Sequence, residues 1–397
     1  MRLLYLTPRF PNPTLKGDQL VAYHRLRVLG RRHEISLVSL VERDEELSRL
    51  DEVRECCVSV DVVRLPRWRA LGRVAGRGLV SGAPLQILYY QSAKFEQRVR
   101  DLAQERSFDV AHAFMLRMAP YLRLVPTRSV LDAMDSMQLR MQRNVAVERA
   151  PRRWLFREEL RRVTPYERKV GPSVDALIVL SDLDAEFFPG AASTAVANGV
   201  DTDIFAPDPA LRGPNTIVFS GIMSYPPNVA AARWFAERCF PAVRETVPSA
   251  RLLLAGSSPP ADLLQLGRRD DITVTGLVES MPATLNRASV AVAPMLSGAG
   301  MQNKVLEAMA CGLAVVTTPL GLGSIRAEPG HDLVVAEGAE AFAAAVAELL
   351  RDPARAQELG ERARACVIER HSWERAASDV EAIYERILSR RPSEAAI

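Results

Sequence analysis

A lysine and a glutamate lie three residues apart in the segment "SGAGMQNKVLEAMACG". The run "VLEAMA" predicts a helix that ends at Gly312, so Lys304 and Glu307 share one face of that helix. On a surface helix, such a pair would be an ordinary solvated salt bridge of little energetic weight. Gly298 and Gly300 come just before the helix and allow the backbone to wrap closely around a bound group. A binding site is therefore the alternative to a surface salt bridge.

The position of this segment favours a binding site. It follows the apolar run "VAVAP", which predicts a strand, so it leads from the carboxyl end of a strand into a helix. The first turn of a helix presents unpaired N–H groups and the positive end of the helix dipole, which suit a phosphate group. Lys304 adds a full positive charge, and Glu307 supplies acceptors for a diol such as ribose. We therefore predict that a nucleoside diphosphate, which carries both groups, binds here.

The elements that position this segment follow the pattern of a parallel α/β sheet, in which strands alternate with helices. In the first half, strands are predicted at "RLLYLTP", "EISLVSLV", "VDVVRL", "DVAHAF", "RSVLDAMD" and "DALIVLS". After the turn-rich stretch "AVANGVDTDIFAPDP", strands are predicted at "NTIVFSG", "ARLLLAG", "ITVTG", "ASVAVAP", "LAVVTTP" and "DLVVA", with one helix over "NVAAARWFAERCFPAVRET". The predicted fold class is α/β, with two doubly wound Rossmann-like domains facing across a cleft.

The turn-rich stretch sets the predicted domain boundaries. We expect an N-terminal domain over residues 1–195 and a C-terminal domain, which holds the predicted nucleoside diphosphate site, over residues 196–371. A C-terminal helix over residues 372–397 is predicted to pack back toward the N-terminal domain.

Three predicted strands of the second half end in a glycine, at Gly221, Gly256 and Gly276. Glycine at a strand end lets a ligand approach the backbone closely, although glycine also simply turns a chain. Ligands bind outside the carboxyl ends of strands in doubly wound sheets. We therefore expect these glycines and Lys304 to lie at one site.

The composition excludes several classes of protein. Charged residues make up 25% and hydrophobic residues 48% of the 397 residues, which is ordinary for a globular protein. No apolar run reaches the roughly 18 residues of a membrane span, and the N-terminal "MRLLYLTPRFPNP" is too broken by proline for a signal peptide. The five cysteines are scattered without metal-ligand spacing, which indicates a reducing cytoplasm. We expect a cytoplasmic protein with no metal and no other bound cofactor.

Net charge is divided unevenly between the two halves. Residues 1–200 hold 32 Lys and Arg against 24 Asp and Glu, whereas residues 201–397 hold 19 against 24. Two segments of the basic half mix arginine with tryptophan: "RWRALGRVAGRG" (67–78) and "RAPRRWLFREELRR" (149–162). They predict peripheral contact of the N-terminal domain with the inner face of the membrane, or they reflect an arginine-rich composition, since lysine is scarce throughout. No nucleic-acid partner is expected.

Several motifs resemble those of retaining glycosyltransferases of family 4, which have the two-domain GT-B fold. The segment "NGVDTDIFAP" resembles the interdomain segment of that family, "TIVFSGIMSYPPNVAAARWF" the start of its donor domain, and "KVLEAMACGLAVVTT" its most specific motif. More narrowly, "TLKGDQLVAYHRL", "SGAPLQILYYQS", "LDAMDS" and "GAGMQNKVLEAMA" are similar to exosortase-associated sugar transferases found with bacterial exopolysaccharide genes. The resemblance covers essentially the whole chain.

The resemblance implies transfer of a sugar from a UDP- or GDP-linked donor, with retention of the anomeric configuration and without a metal. It implies that Glu307 binds the ribose hydroxyls, that Lys304 neutralises the leaving diphosphate, and that domain closure completes the site. The other donor-binding residues that it implies are Gly17, Gly221, Gly276, Leu277, Val278, Gly298, Gly300, Met301, Gln302 and Asn303. It also assigns the "DTD" at residues 201–203 to a turn rather than to a metal site.

Two positions depart from the family pattern. Ala299 stands where the family usually has a glutamate that touches the transferred sugar, so the identity of the sugar stays open. No basic residue follows Gly221 in "IMSYPPN", which leaves Lys304 as the main local positive charge. One cation and the helix N–H groups would then have to stabilise the departing diphosphate.

The catalytic candidates of the first half lie at strand ends. Many family members have a histidine at the end of the strand "SVLDAMD", and Asp135 stands at the matching position, with Asp132 three residues before it. A carboxylate there could stabilise an oxocarbenium-like state or orient the acceptor hydroxyl, whereas Asp135 could also simply cap the next helix. Asp18 and His112 are candidates for the acceptor side, although a lone histidine is more often structural.

Three functions stay open from the sequence. The favoured one is a sugar transferase that acts on a lipid-linked or polysaccharide acceptor at the cytoplasmic face of the membrane, or on a small-molecule acceptor. A nucleotide-sugar 2-epimerase has the same fold, although "NGVDTDIF" and "NKVLEAMACG" fit the transferases better. Ala299 and the missing basic residue could instead mark a partner subunit that binds the donor without turning it over. A transferred sugar, an epimerised nucleotide sugar, or binding without turnover would separate the three.

Overall fold

The chain folds into two compact α/β units in the computed structural model, which describes residues 1–15, 17–297 and 301–390. The first unit comprises Met1–Val196 and Ala376–Ile397, and the second comprises Ala197–Arg375. Each unit is built on a parallel sheet with helices between its strands. The predicted fold class, α/β with two doubly wound domains, is therefore confirmed.

The first unit contains a seven-stranded parallel sheet within the part of the chain that the structure describes. Its strands are β1 (Arg2–Thr7), β2 (Glu34–Val41), β3 (Ser59–Arg64), β4 (Val110–Phe114), β5 (Arg128–Met134), β6 (Ala176–Val179) and β7 (Ser193–Ala195). Its helices are α1 (Gly17–Leu29), α2 (Leu50–Glu55), α3 (Arg67–Val80), α4 (Leu85–Tyr90), α5 (Ala93–Glu105), α6 (Ala119–Leu122), α7 (Met137–Val147), α8 (Arg152–Val170) and α9 (Asp182–Ala185).

The strand order of the first unit is β3-β2-β1-β4-β5-β6-β7. Strands β2 and β3 are added on one side of β1, and the later strands, from β4 onward, are added on its other side. Strand β1 is central, and its Leu4 pairs with Ser36 of β2 and with Ala111 of β4. Strands β4 and β6 are buried along their whole length, because helices cover both faces of a parallel sheet. The core of the unit lies between this sheet and its helices.

The second unit contains a six-stranded parallel sheet among the described residues. Its strands are β8 (Thr216–Ser220), β9 (Arg251–Ala255), β10 (Ile272–Val274), β11 (Val290–Ala293), β12 (Ala314–Thr317) and β13 (Val334–Val335). The helices are α10 (Pro226–Trp234), α11 (Phe240–Thr246), α12 (Ala261–Leu266), α13 (Met281–Asn286), α14 (Asn303–Ala310), α15 (Pro319–Leu322), α16 (Ala339–Arg351), α17 (Pro353–Arg370) and α18 (Trp373–Ser389). Helix α18 crosses the division between the units, and most of it belongs to the first.

The strand order of the second unit is β10-β9-β8-β11-β12-β13, which is the strand order of doubly wound dinucleotide-binding sheets. The order reverses between β8 and β11, where Ile217 pairs with Val290. Two apolar clusters fill the space between the sheet and its helices.

One predicted helix of the second unit is interrupted. The sequence predicts a single helix over "NVAAARWFAERCFPAVRET", but a π-helical turn at Phe235–Cys239 separates α10 from α11. Pro241 explains the difference, because it has no N–H to donate and its ring clashes with the carbonyl group four residues earlier.

No helix among the residues described is long and apolar enough to cross a membrane.

Candidate functional site

The donor-binding residues predicted in the second unit collect at the carboxyl ends of its central strands. Gly221 follows β8, and Lys304 stands in the first turn of α14, the helix that comes after β11. These two strands flank the point where the strand order reverses. Open α/β sheets bind ligands in the crevice outside the strand ends at such a point. The topology therefore places Lys304 where a ligand is expected.

Two glycines bring the backbone loops beside β8 into direct contact. Gly221 has a φ of +150° and Gly256 a φ of +149°, conformations that other residues rarely adopt. A Cβ atom on Gly256 would lie 1.8 Å from the carbonyl oxygen of Gly221. A Cβ atom on Gly221 would lie 2.7 Å from Nδ2 of Asn228 and 3.2 Å from Cε of Lys304. Glycine at position 221 thus leaves room for the lysine side chain.

The ammonium group of Lys304 is held by neutral side chains. Its Nζ donates to Oδ1 of Asn228 at 2.7 Å and to Oε1 of Gln302 at 3.1 Å, and it lies 3.5 Å from Sδ of Met295. It also lies 5.5 Å from the centroid of the Phe219 ring. The two amide oxygens position the ammonium group without cancelling its charge.

Burial shifts the acid–base behaviour of both Lys304 and Glu307. It lowers the pKa of Lys304 to about 8, against a smaller opposing effect of the Glu307 carboxylate. It raises the pKa of Glu307 to about 7, against a smaller opposing effect of Lys304. Neither side chain is fully exposed, which argues against a solvated surface salt bridge. Groups that titrate near neutral pH are common at binding and catalytic sites.

Helix α14 begins and ends where the sequence predicts. It starts at Asn303, and Gln302 precedes it without a side-chain cap. The Oδ1 atom of Asn303 is buried and has no hydrogen-bond partner. Met301 packs, partly buried, against the apolar core, and Gly312 ends the helix with a φ of +65°. The start of the helix thus presents one unpartnered acceptor atom, which a donor group of a ligand could satisfy. The predicted donor residues Gly298 and Gly300, and Ala299 between them, lie outside the described residues.

The loop after β10 is tied to the loop after β9. The Oγ1 atom of Thr275 accepts from the N–H of Gly256 at 3.3 Å and donates to the carbonyl of Gly276 at 2.8 Å. Gly276 has a φ of +67°, Leu277 is 84% exposed, and Val278 is partly buried. The predicted base-side segment therefore presents an apolar side chain next to the strand ends.

Asn228 is a site residue that the sequence analysis missed. Its Nδ2 donates to the carbonyl of Ile222 at 2.9 Å, which leaves Oδ1 to accept from Lys304. The available signal was its position in the first turn of α10, directly after the two prolines that start this helix. The contact joins α10 to α14, whose residues are 76 positions apart in the chain.

In the first unit, Asp132 and His112 lie in the interior. Both are fully buried, and the Asp132 carboxylate forms an ion pair with the equally buried Arg25. Nδ1 of His112 lies 2.7 Å from the Tyr384 hydroxyl, and its ring stacks on Tyr5 with centroids 4.4 Å apart. Burial lowers the pKa of His112 well below its ordinary value, so the ring is neutral. These are structural positions, and the sequence-based roles of Asp132 in catalysis and of His112 on the acceptor side do not fit this burial.

Asp135 lies just beyond the end of β5 and stays partly exposed, at 19% of its side-chain surface. Its Oδ2 lies 3.5 Å from Nη1 of Arg140. The residue that caps α7 is Ser136, whose Oγ accepts from the N–H of Leu139. The alternative in which Asp135 caps this helix is therefore wrong, and its catalytic role stays a prediction.

A buried glutamate holds the start of α7 in place. Glu167 of α8 accepts from Oγ of Ser136 at 2.9 Å and from the N–H of Met137 at 2.6 Å. Burial raises the pKa of Glu167 to about 7, although these hydrogen bonds oppose the shift. Sequence reasoning missed Glu167, which lies 31 residues from Ser136 within a charged helix.

Gly17 and Asp18 begin α1, the helix that comes after β1. Gly17 is exposed, and a Cβ atom on it would meet nothing within 4 Å. The Oδ1 atom of Asp18 lies 3.3 Å from Nη1 of Arg9, so the carboxylate forms an ion pair at the same edge of the sheet as Asp135. The acceptor-side role of Asp18 stays a prediction.

The "DTD" motif forms a turn, as predicted. Oδ1 of Asp201 accepts from the N–H groups of Asp203 and Ile204 at 3.2 and 3.1 Å. Within the described ranges, no group of three or more His, Cys, Asp or Glu side chains could hold a metal ion.

Known proteins share both the fold and part of the sequence. Residues 214–352 match the family model described as "Glycosyl transferases group 1". That segment contains β8 to β13 and the Lys304 site, which consists of Gly221, Asn228, Gln302, Lys304 and Glu307. The match shows a likeness of the second unit to that family and covers 139 of the 397 residues.

A GDP-mannose-dependent alpha-(1-6)-phosphatidylinositol monomannoside mannosyltransferase of Mycolicibacterium smegmatis is 30% identical over 233 residues. The alignment covers 52% of this chain and 61% of that protein, so the chain matches about three fifths of the relative's length. An uncharacterized 44.6 kDa protein in the cps region of Klebsiella pneumoniae is 23% identical over 366 residues, which cover 86% of this chain and 89% of that protein.

The crystal structure of Anabaena Alr3699/HepE in complex with UDP has a TM-score of 0.69 at 14% identity. The superposition covers 97% of this chain and 100% of that chain. At this identity the likeness establishes the fold alone, and that fold is the GT-B architecture that the motifs imply.

Proposed function

We propose that the protein is a glycosyltransferase that moves a hexose from a nucleoside-diphosphate sugar to an acceptor hydroxyl. The observation that carries the proposal is the Lys304 site: a positioned cation and a carboxylate in the helix after β11, beside Gly221. The family match over residues 214–352 supports it. The mannosyltransferase relative and the UDP complex of the structural neighbour add to that support, since their names specify GDP-mannose dependence and bound UDP.

In this proposal the diphosphate lies at the start of α14. Its oxygens accept from Lys304 and from N–H groups of the first helical turn, and Glu307 accepts from the ribose hydroxyls. When the bond between C1 of the sugar and the diphosphate breaks, negative charge develops on the leaving group. A cation that is already positioned by Asn228 and Gln302 stabilises that charge without reorganisation. We propose that this arrangement works without a metal ion and that transfer retains the anomeric configuration.

The acceptor belongs in this proposal to the first unit. Asp135 lies beyond the end of β5 with part of its carboxylate exposed, and Arg140 holds it. We assign it to orienting the acceptor hydroxyl or stabilising positive charge on C1. The relatives favour a lipid-linked or polysaccharide acceptor, because one is named for a phosphatidylinositol monomannoside and another for a cps region. An exopolysaccharide role of the exosortase-associated type is the narrower form of this proposal.

We propose peripheral contact with a membrane through two helices of the first unit. Helix α3 exposes Trp68, Leu79 and Val80 among its arginines, and α8 exposes Trp154. Exposed aromatic and aliphatic side chains among cations are typical of helices that lie on an anionic bilayer surface. Binding to vesicles that contain phosphatidylglycerol, and its loss in a Trp68→Ser, Leu79→Ser variant, would test this part of the proposal.

The first experiment is calorimetric titration of the full chain with UDP, GDP and dTDP. We expect one of these diphosphates to bind, and Glu307→Ala to weaken it by about tenfold or more without unfolding the chain. Incubation with the corresponding nucleotide sugars, with and without a chelator, then tests turnover. Failure of all three diphosphates to bind would refute the proposal, and an epimerised nucleotide sugar would replace it with the 2-epimerase activity.

A further inference from the structure

Arg117 occupies an unusual position at the carboxyl end of β4 in the first unit. It lies in a short helical turn, Leu116–Met118, directly after that strand, and only 7% of the residue is exposed. Met115, the residue that precedes this turn, has a φ of +69°, which is a strained conformation for a residue other than glycine. The chain thus accepts backbone strain at the point where it buries a guanidinium group.

Two of the three nitrogen atoms of the buried guanidinium group lack a hydrogen-bond partner. Its Nε and Nη1 atoms have none in the structure. Its carbon lies 4.9 Å from the centroid of the Tyr90 ring, but such a cation–π contact uses only the face of the group. In the plane of the group, the N–H groups on Nε and Nη1 stay unsatisfied, which is costly for a buried charge. Arg117 therefore has the in-plane donors for an anion.

Two more arginines surround the same strand ends. Arg9 follows β1, and Arg140 stands in α7, which follows β5; β1, β4 and β5 are neighbours in the sheet. Burial lowers the pKa of Arg117, the like charges of Arg140 and Arg9 lower it further, and the Asp18 carboxylate opposes the shift. Arg9 contacts Asp18 at 3.3 Å while its Nε stays buried and unpartnered, and Arg140 contacts Asp135 at the long distance of 3.5 Å. Arg9 and Arg140 thus each lie beside an aspartate, whereas Nε and Nη1 of Arg117 have no partner.

We propose that Arg9, Arg117 and Arg140 form a subsite for a phosphoryl group carried by the acceptor. The inference rests on the proposed glycosyltransferase function, which it deepens by naming the class of acceptor. A phosphoryl group has several oxygens that accept from guanidinium forks at once, and its charge balances the surplus cation. Asp135, which contacts Arg140, would then lie next to the bound acceptor.

The test is a pair of calorimetric titrations on the full chain. The first uses inorganic diphosphate and farnesyl diphosphate as anion probes, and the second uses the nucleoside diphosphate. The variants are Arg117→Lys and Arg140→Ala, with Lys304→Met as the counterpart in the second unit. Arg100→Ala, an exposed arginine of the first unit, serves as the matched control, and thermal unfolding verifies that each variant folds.

We expect Arg117→Lys and Arg140→Ala to weaken binding of the anion probe by about ten- to a hundredfold and to leave nucleotide affinity unchanged. Lys304→Met should do the reverse, and Arg100→Ala should change neither. Tighter binding of farnesyl diphosphate than of inorganic diphosphate would indicate a lipid-linked acceptor. Equal binding would indicate that the subsite recognises the phosphoryl group alone.

Two results would overturn the inference: no anion binding in the wild type, or anion binding that only Lys304→Met removes, since the probe would then occupy the nucleotide site. Absence of nucleotide binding, with arginine-dependent anion binding intact, would instead overturn the proposed function.

Discussion

The lowered pKa of Lys304 predicts that nucleotide affinity falls as pH rises through about 8. Burial makes the protonated amine less stable in the free protein, so a part of the population has lost its charge at mildly alkaline pH. A bound diphosphate is an adjacent anion, which raises the pKa of the lysine again. Binding must therefore be coupled to uptake of a proton at Lys304.

The size of the effect follows from the pKa. At pH 8 about half of the free protein carries the proton, so binding takes up about half a proton per nucleotide. Above the pKa, each pH unit reduces the charged fraction about tenfold, so the dissociation constant should rise by about tenfold between pH 7 and pH 9. The Glu307 carboxylate opposes the shift of Lys304, so Glu307→Gln should move the midpoint to lower pH.

Calorimetry in two buffers of different ionisation enthalpy measures the proton uptake directly. Lys304→Arg is the informative control, because a guanidinium group keeps its charge throughout this range and should abolish the roughly tenfold loss of affinity above pH 8. Lys304→Met should bind weakly and also lack that decrease, so any pH dependence left in either variant reports the titration of Glu307. The reasoning is refuted if wild-type affinity is constant from pH 7 to pH 9, or if the Lys304→Met variant shows the same slope as the wild type.

Three further substitutions test the two units separately. Asp135→Asn should reduce turnover and leave donor affinity intact; full activity in steady-state assays would remove Asp135 from the chemistry. Gly256→Ala should lower the free energy of unfolding, measured in urea, by at least about 3 kcal/mol, because its Cβ would overlap a backbone carbonyl oxygen. Gly276→Ala, with open space around it, should lower it by only about 1 kcal/mol. Equal losses in the two variants would contradict the close contact at Gly256. Arg25→Met should destabilise the first unit by about 3–5 kcal/mol by leaving the buried Asp132 carboxylate unpaired, and a loss below about 1 kcal/mol would mean that the pair is not ionised.

The sequence predicted the elements that carry the donor site because their signals are local. The apolar runs of β8 and β9 are bounded by glycines, and helix α14 lies between a glycine-rich loop and Gly312. The distance of Lys304 from Glu307 along one helix is likewise a local property. These features can be recognised without knowing which residues that are distant in the sequence come into contact.

The partners of these residues could not be predicted, because they depend on contacts across the sheet. Asn228 meets Lys304 only because β8 and β11 are neighbours, and a short polar residue at a helix start has many ordinary roles. The sequence could not separate Asp132 from Asp135 as candidates for a related reason. The pairing register shifts between Asp132 and Met134, and Met134 has a φ of +64°, so strand alternation does not predict which carboxylate points inward.

The two sheets share their strand order at the point where it reverses, and a cation stands in the segment after the same strand of each sheet. In both units the central strand lies between the second and the fourth strand of its unit, and a basic residue follows the fourth: Arg117 after β4 and Lys304 after β11. The two cations differ in what surrounds them. Amide oxygens hold Lys304, whereas the buried donors of Arg117 are bare. A lysine with neutral partners can lose its proton near pH 8, so its strength as an anion ligand depends on pH. An arginine keeps its charge, so a group that it binds should be held at every pH at which the protein is folded. Nucleotide binding should therefore weaken in alkali while anion binding at Arg117 persists, and measuring both profiles on one sample distinguishes the two sites without any substitution.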